Sequence, residues 1–194
     1  MSIESNIKKI KDEITSICND CGRNPEDVNL MAVTKTVDVD AVLEAIEAGI
    51  TDVGENKPQE LARKYEVIGD KVNWHLIGTL QTNKVKEIMD KYEYMGDGVK
   101  WHLIGHLQTN KVKYIIDKVH MIHSLDRESL CEEIQKRAEK IDRVIDCLVQ
   151  VNISKEETKH GLYKDDVVKF IKMVSEKYKN IRIRGLMTMA PFVD

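Results

Sequence analysis

The chain has 194 residues, of which 42% are apolar and 32% charged, with a formal net charge of −3. That length and mixture suit one soluble globular domain with a real core. The near-neutral balance excludes a global basic field for nucleic acid, and no apolar run approaches the ~20 residues of a membrane-spanning helix.

The opening Met1-Ser2-Ile3-Glu4 lacks a basic stretch followed by an apolar block. A secretory leader is therefore not expected, and the cytoplasm is the expected compartment. Ile3, Ile7, Ile10, Ile14, Ile17 and Cys21 recur at spacings of three and four, one apolar stripe on a helix. Gly22 stops that helix and Pro25 follows. Cys18 and Cys21 form a lone C-x-x-C with no second pair or spaced histidines to complete a zinc site. Both are expected on the core face.

Asn29 to Lys35 reads as a short buried strand. Asp38 caps a helix carrying Val42, Leu43 and Ile46, and Gly49 ends it. Asp52 to Asn56 is a second strand, and Pro58 opens a helix over 58–68. Trp74 to Gly78 is a third strand, with Thr82 placed to cap the next helix. The unit then returns. Val119 to Ser124 is a strand, followed by a helix with Leu130, Ile134 and Ala138. Val144 to Ile153 is a strongly apolar strand, and a polar loop runs from Ser154 to Tyr163. Val167, Phe170, Ile171 and Val174 mark the last helix, and Ile181 to Met187 the last strand. Strands separated by such helices predict an α/β fold with a parallel sheet, doubly wound or a (β/α) barrel. The lack of G-x-G-x-x-G removes the usual argument for a dinucleotide fold.

Gly69 through Lys91 aligns with Gly96 through Lys118 at an offset of 27. Trp74 matches Trp101, His75 matches His102 and Lys84 matches Lys111. The octapeptide core differs only where Thr79 stands against His106. This is read as a tandem β-α duplication (69–95 and 96–122) inside a single domain spanning 1–194. The first copy keeps the connection to the preceding helix, and the second keeps the connection to the following strand.

Lys35 is the strongest single candidate for chemistry. A lysine ending a barrel strand points toward the mouth where such folds hold ligands. Partial burial there lowers the ammonium pKa and makes the amine a nucleophile toward an aldehyde. A lysine snorkelling from a strand end is the plainer alternative. Glu55-Asn56 after Gly54, and Ser124 with Asp126, stand at other strand ends. Asp126 is read equally as a helix cap or a ligand group. His102 is expected in a packed, hydrogen-bonded slot rather than on a metal. The Lys84–Lys86 and Lys111–Lys113 triplets are read as solvated faces.

Together the strings Ala32-Val33-Thr34-Lys35, Gly54-Glu55-Asn56, Trp101 through Lys111, Ile122 to Asp126, Gln150 to Glu156, Lys159-His160-Gly161 and Gly185 to Ala190 occur in one order along the chain. In this the chain resembles the pyridoxal-phosphate homeostasis family, stand-alone relatives of the alanine racemase N-terminal barrel. The resemblance implies an incomplete or altered (β/α)8 TIM-type barrel with parallel strands. It implies pyridoxal 5′-phosphate carried as a Schiff base on Lys35, in a role of cofactor handling rather than turnover. Asn56, Ser124 and Met187 would line the cofactor cavity, with Glu156, Lys159 and Gly161 in the loop beside it.

The chain departs from the family in having two Trp-His-Leu-Ile-Gly units. It also stops at Asp194, before the strands that in the family grip the cofactor phosphate. Weak cofactor retention is the expectation from that, since phosphate contacts contribute much of such affinity. Two alternatives stand beside this reading. One is a racemase-like enzyme, which would need a second acid/base on the opposite face of the substrate. The other is a truncated, duplicated variant without cofactor binding. No nucleic-acid or membrane partner is expected, and exposed sheet edges would favour a homo-oligomer.

Overall fold

The computed structural model of the chain describes residues 2–77, 99–153 and 160–189. They gather into two compact units. The first reaches from the N-terminus to Leu76 and includes 99–100; the second takes Ile77 and everything from Trp101 onward.

The first unit opens with helix α1, Ile3–Asp20, capped by Ser2, whose Oγ accepts from the Ser5 N–H at 3.2 Å. Ile7 and Cys18 are buried on it, while Ile10 and Ile17 are exposed. Cys21 is exposed too, against expectation. The reason lies in the backbone: Cys21 is the C-cap residue at φ −101°, ψ 7°, so the helical spacing no longer carries its side chain to the core face. Gly22 then takes a left-handed φ of +69°, which glycine adopts without steric cost.

Strand β1 is only Met31–Val33. Helix α2, Val39–Glu47, follows the expected Asp38 cap, whose Oδ1 accepts from the Val39 N–H at 2.8 Å. Strand β2 is Asp52–Glu55, helix α3 Pro58–Ile68, and strand β3 Asn73–Leu76. The three strands are parallel with β2 central, in the register Ala32↔Val53↔Trp74. Val42, Val53, Leu61, Ile68 and Trp74 form the core under them.

The second unit holds strand β4, Val99–Leu103, from its third residue onward. Strand β5 is Met121–Leu125, helix α4 Glu128–Glu139, strand β6 Ile145–Gln150, helix α5 Val167–Lys177 and strand β7 Ile181–Met187. β4, β5, β6 and β7 pair in that order, all parallel. The parallel α/β class expected from the sequence is what both units show. Among the described residues no helix is long and apolar enough to cross a membrane.

The two copies of the repeated string do not share neighbours. β3, from the first copy, pairs with β2. β4, from the second, pairs with β5. Each keeps the partner to which its intact connection leads. After β4 the chain forms a 3-10 helix at Thr109–Tyr114 rather than an α-helix. Val112, Ile115, Ile116 and Val119 are nonetheless all buried, because i→i+3 bonds such as Ile115 N to Val112 O mix with i→i+4 bonds such as Ile116 N to Val112 O. The first copy's helix, with Thr82 and the Lys84–Lys86 triplet, lies outside the described residues.

Asp52 on β2 and His75 on β3 form a buried pair, His75 Nε2 to Asp52 Oδ1 at 2.6 Å. Burial works to raise the Asp52 pKa, but hydrogen bonds from His75, Thr51 and Asn29 outweigh it and hold the carboxyl below its ordinary value. A folded pKa below the unfolded one means stability that is present above about pH 4 and lost as pH falls through the folded value. Urea midpoints of the wild type and Asp52→Asn are therefore expected to differ at neutral pH and to converge as pH is lowered. A constant gap down to acid would refute the sign.

Candidate functional site

Lys35 lies in the turn just past β1, and Asn56 in the bend just past β2. Both are exposed. The pairing Val33↔Gly54, continued by Thr34 N to Gly54 O at 2.9 Å, sets these turns side by side at the C-terminal strand ends. Sequence reasoning expects partial burial for Lys35; the structure puts its amine in the open.

What holds the Lys35 turn is a buried cation beneath it. Lys64 on α3 donates from Nζ to the Thr34 carbonyl at 2.7 Å and to Glu55 Oε1 at 2.5 Å. Thr34 Oγ1 donates to the same carboxylate oxygen at 2.8 Å. Thr34, Glu55 and Lys64 are all buried. Glu55 Oε2 is buried with no hydrogen-bond partner among the described residues. Sequence reading missed Lys64. Its signal was available: Leu61, Lys64, Tyr65 and Ile68 follow the three-and-four spacing of a core face. The repeat also extends back to it, since Lys64-Tyr65-Glu66 recurs as Lys91-Tyr92-Glu93 at the same offset.

In the second unit Ser124 lies within β5, fully buried, and its Oγ has no partner among the described residues. A buried hydroxyl left unpaired costs about 1–3 kcal/mol, so such a group invites a ligand atom. Met187 ends β7, half-buried, paired with Gln150. Glu156 and Lys159 lie outside the described residues. Gly161 is at φ +119°, and a Cβ there would stand 2.9 Å from the Asn152 nitrogen. Only glycine fits the close approach of this loop to the chain beyond β6.

His102 is buried, its Nδ1 2.8 Å from Nε2 of His123, as the packed-slot reading expects. His106 is different. It stands past the end of β4, exposed, its ring stacked on that of His160 with centroids 3.9 Å apart and planes at 19°. Asp126, just past β5, joins them: one ligand atom from each of the three lies within 4.8 Å of the others. Partial burial, the neighbouring His160 and the Arg127 charge lower the His106 pKa, against the opposing pull of Asp126. Asp126 does not cap α4; the cap position is Arg127, whose Nη1 bonds Asp126 Oδ1 at 2.6 Å.

Comparison with known proteins places these strand ends in a family context. Residues 4–194 match the model described as alanine racemase, N-terminal domain. A pyridoxal phosphate homeostasis protein of Aquifex aeolicus is 34% identical over 189 residues, covering 97% of this chain and 71% of that protein. A solved structure of an unknown protein from Bifidobacterium adolescentis is 29% identical with a TM-score of 0.65, covering 98% of this chain and 70% of that one. PipY of Synechococcus elongatus, solved with PLP bound, is 26% identical with a TM-score of 0.53, covering 93% of this chain and 71% of that one.

Proposed function

We infer the function from one fact: the chain belongs to the alanine racemase N-terminal domain family, and within it to the pyridoxal phosphate homeostasis proteins. On that premise we propose that it binds pyridoxal 5′-phosphate and holds it as a Schiff base on Lys35, as a carrier rather than a catalyst. The observation that carries the proposal is the place of Lys35. It is a primary amine, exposed, in a turn at a C-terminal strand end. In barrel-type α/β folds ligands are held at that end.

Lys35 would hold the cofactor through its side-chain amine, the nucleophile that an aldehyde group needs. Bound in this way, the cofactor supplies an electron-withdrawing ring and a phosphate dianion. The chain's own residues do the rest. Lys64 and Glu55 fix the Thr34 carbonyl and so the turn that presents Lys35. Asn56, in the adjacent turn, offers an amide donor and acceptor.

Adding pyridoxal 5′-phosphate to the full chain is expected to give a visible band that borohydride bleaches, with peptide mapping placing the reduced adduct on Lys35. Lys35→Ala is expected to lose the band altogether. Labelling at another lysine, or an unchanged band in Lys35→Ala, would overturn the site. Racemisation of L-alanine above the Lys35→Ala background would overturn the carrier role.

A further inference from the structure

We propose that His106, Asp126 and His160 form a binding site for a divalent transition-metal ion of the zinc type, at the C-terminal strand ends of the second unit. The proposal uses none of the residues assigned to the cofactor.

The first argument is chemical. Two imidazoles and a carboxylate are a donor set that suits zinc, cobalt or nickel, with room left for water on the ion. The second is geometric. The three ligand atoms lie within 4.8 Å of one another. Ligands on one tetrahedral zinc, each at about 2.0–2.1 Å, stand roughly 3.4 Å apart. Side-chain rotations on the order of 1 Å therefore close the set, and both histidines are exposed and able to make them.

The third argument is that the segments bearing all three residues are tied down. Arg127 bonds Asp126 Oδ1 through Nη1 at 2.6 Å and the Leu107 carbonyl through Nη2 at 2.6 Å. One guanidinium thus ties Asp126 to the residue next to His106. His160 is held from the other side. Gln150 Nε2 donates to its carbonyl at 3.3 Å. Gly161 presses onto Asn152, and Leu162 exchanges bonds with Gln150 and Asn152 at 2.9 Å each. Such outer ties are what orient the ligands of a metal site. The repeat adds a control built into the sequence, because the first copy carries Thr79 where the second carries His106. Only the second copy can supply this ligand.

The full chain, titrated with cobalt(II), is expected to bind one equivalent with visible d–d absorption and no thiolate-to-metal charge-transfer band in the near ultraviolet. Zinc is expected to displace it. His106→Thr, which installs the residue of the first copy, is expected to weaken binding at least about tenfold, the lower range for disturbing a metal's ligand shell. His160→Gln, at an exposed position where the fold is not at stake, is expected to do the same. No binding by the wild type overturns the proposal. So does a charge-transfer band, which would assign the ion to Cys18 or Cys21. Unchanged affinity in His160→Gln also overturns it, whether or not His106→Thr folds.

Discussion

Lys64→Ala is expected to destabilise the first unit by about 3–5 kcal/mol, the usual cost of removing one partner of a buried ion pair. The figure follows from what the truncation leaves behind. Glu55 is fully buried, and Lys64 is the cation bonded to it. Its Oε2 already lacks a partner among the described residues, so the variant strands a carboxylate with only the Thr34 hydroxyl. The Thr34 carbonyl loses its Lys64 donor as well. A denaturant titration should show an earlier midpoint. Lys64→Met with Glu55→Leu is expected to recover much of the loss, because replacing both partners by apolar groups removes the desolvation cost along with the attraction. If Lys64→Ala melts with the wild type, the pair is not buried as a charge pair and the account is wrong. The turn bearing Lys35 depends on the same ammonium, so Lys64→Ala should also lower the yield of borohydride-fixed adduct at Lys35. The doubly apolar variant should not restore that yield, since Met cannot donate to Thr34.

Lys64 also shows where sequence reading stops. The helix opened by Pro58 was legible at its observed bounds, but position 64 was not read as buried, although its spacing from Leu61 and Ile68 is that of a core face. A charge at a core-facing position reads as an exception to be solvated, and only the fold reveals the Glu55 carboxylate waiting beneath it. The histidine–aspartate cluster was hidden for a different reason. His106, Asp126 and His160 are far apart along the chain, and parallel pairing of β4, β5 and β6 is what brings their strand ends into one place. Spacing along the sequence carries no trace of that. Conversely, β7 and α3 were legible to the residue, because each is bounded by strong local punctuation or a clean apolar period. Cys21 failed by one residue of helix end, which is the scale on which cap geometry overrides periodicity.

Trp74→Ala is expected to cost about 3–5 kcal/mol, and Trp101→Ala roughly 1–2 kcal/mol. The two tryptophans occupy matching places in the repeated string, so sequence alone gives them equal weight. Their surroundings do not. Trp74 is fully buried in β3, its indole N–H donates to the Gly69 carbonyl at 2.8 Å, and Tyr65 packs edge-on at 6.2 Å between ring centroids. Truncation there opens a large cavity and orphans a carbonyl together. Trp101 is only half-buried in β4, so its removal exposes surface that water already reaches. A larger loss in Trp101→Ala would mean that the second copy, not the first, fills the place beside β2. Fluorescence separates them in parallel: Trp74 should give the blue-shifted emission of a dry site, and Trp101 the redder emission of a wetter one. Trp101→Ala alone should therefore leave a single blue-shifted band that persists until the first unit unfolds.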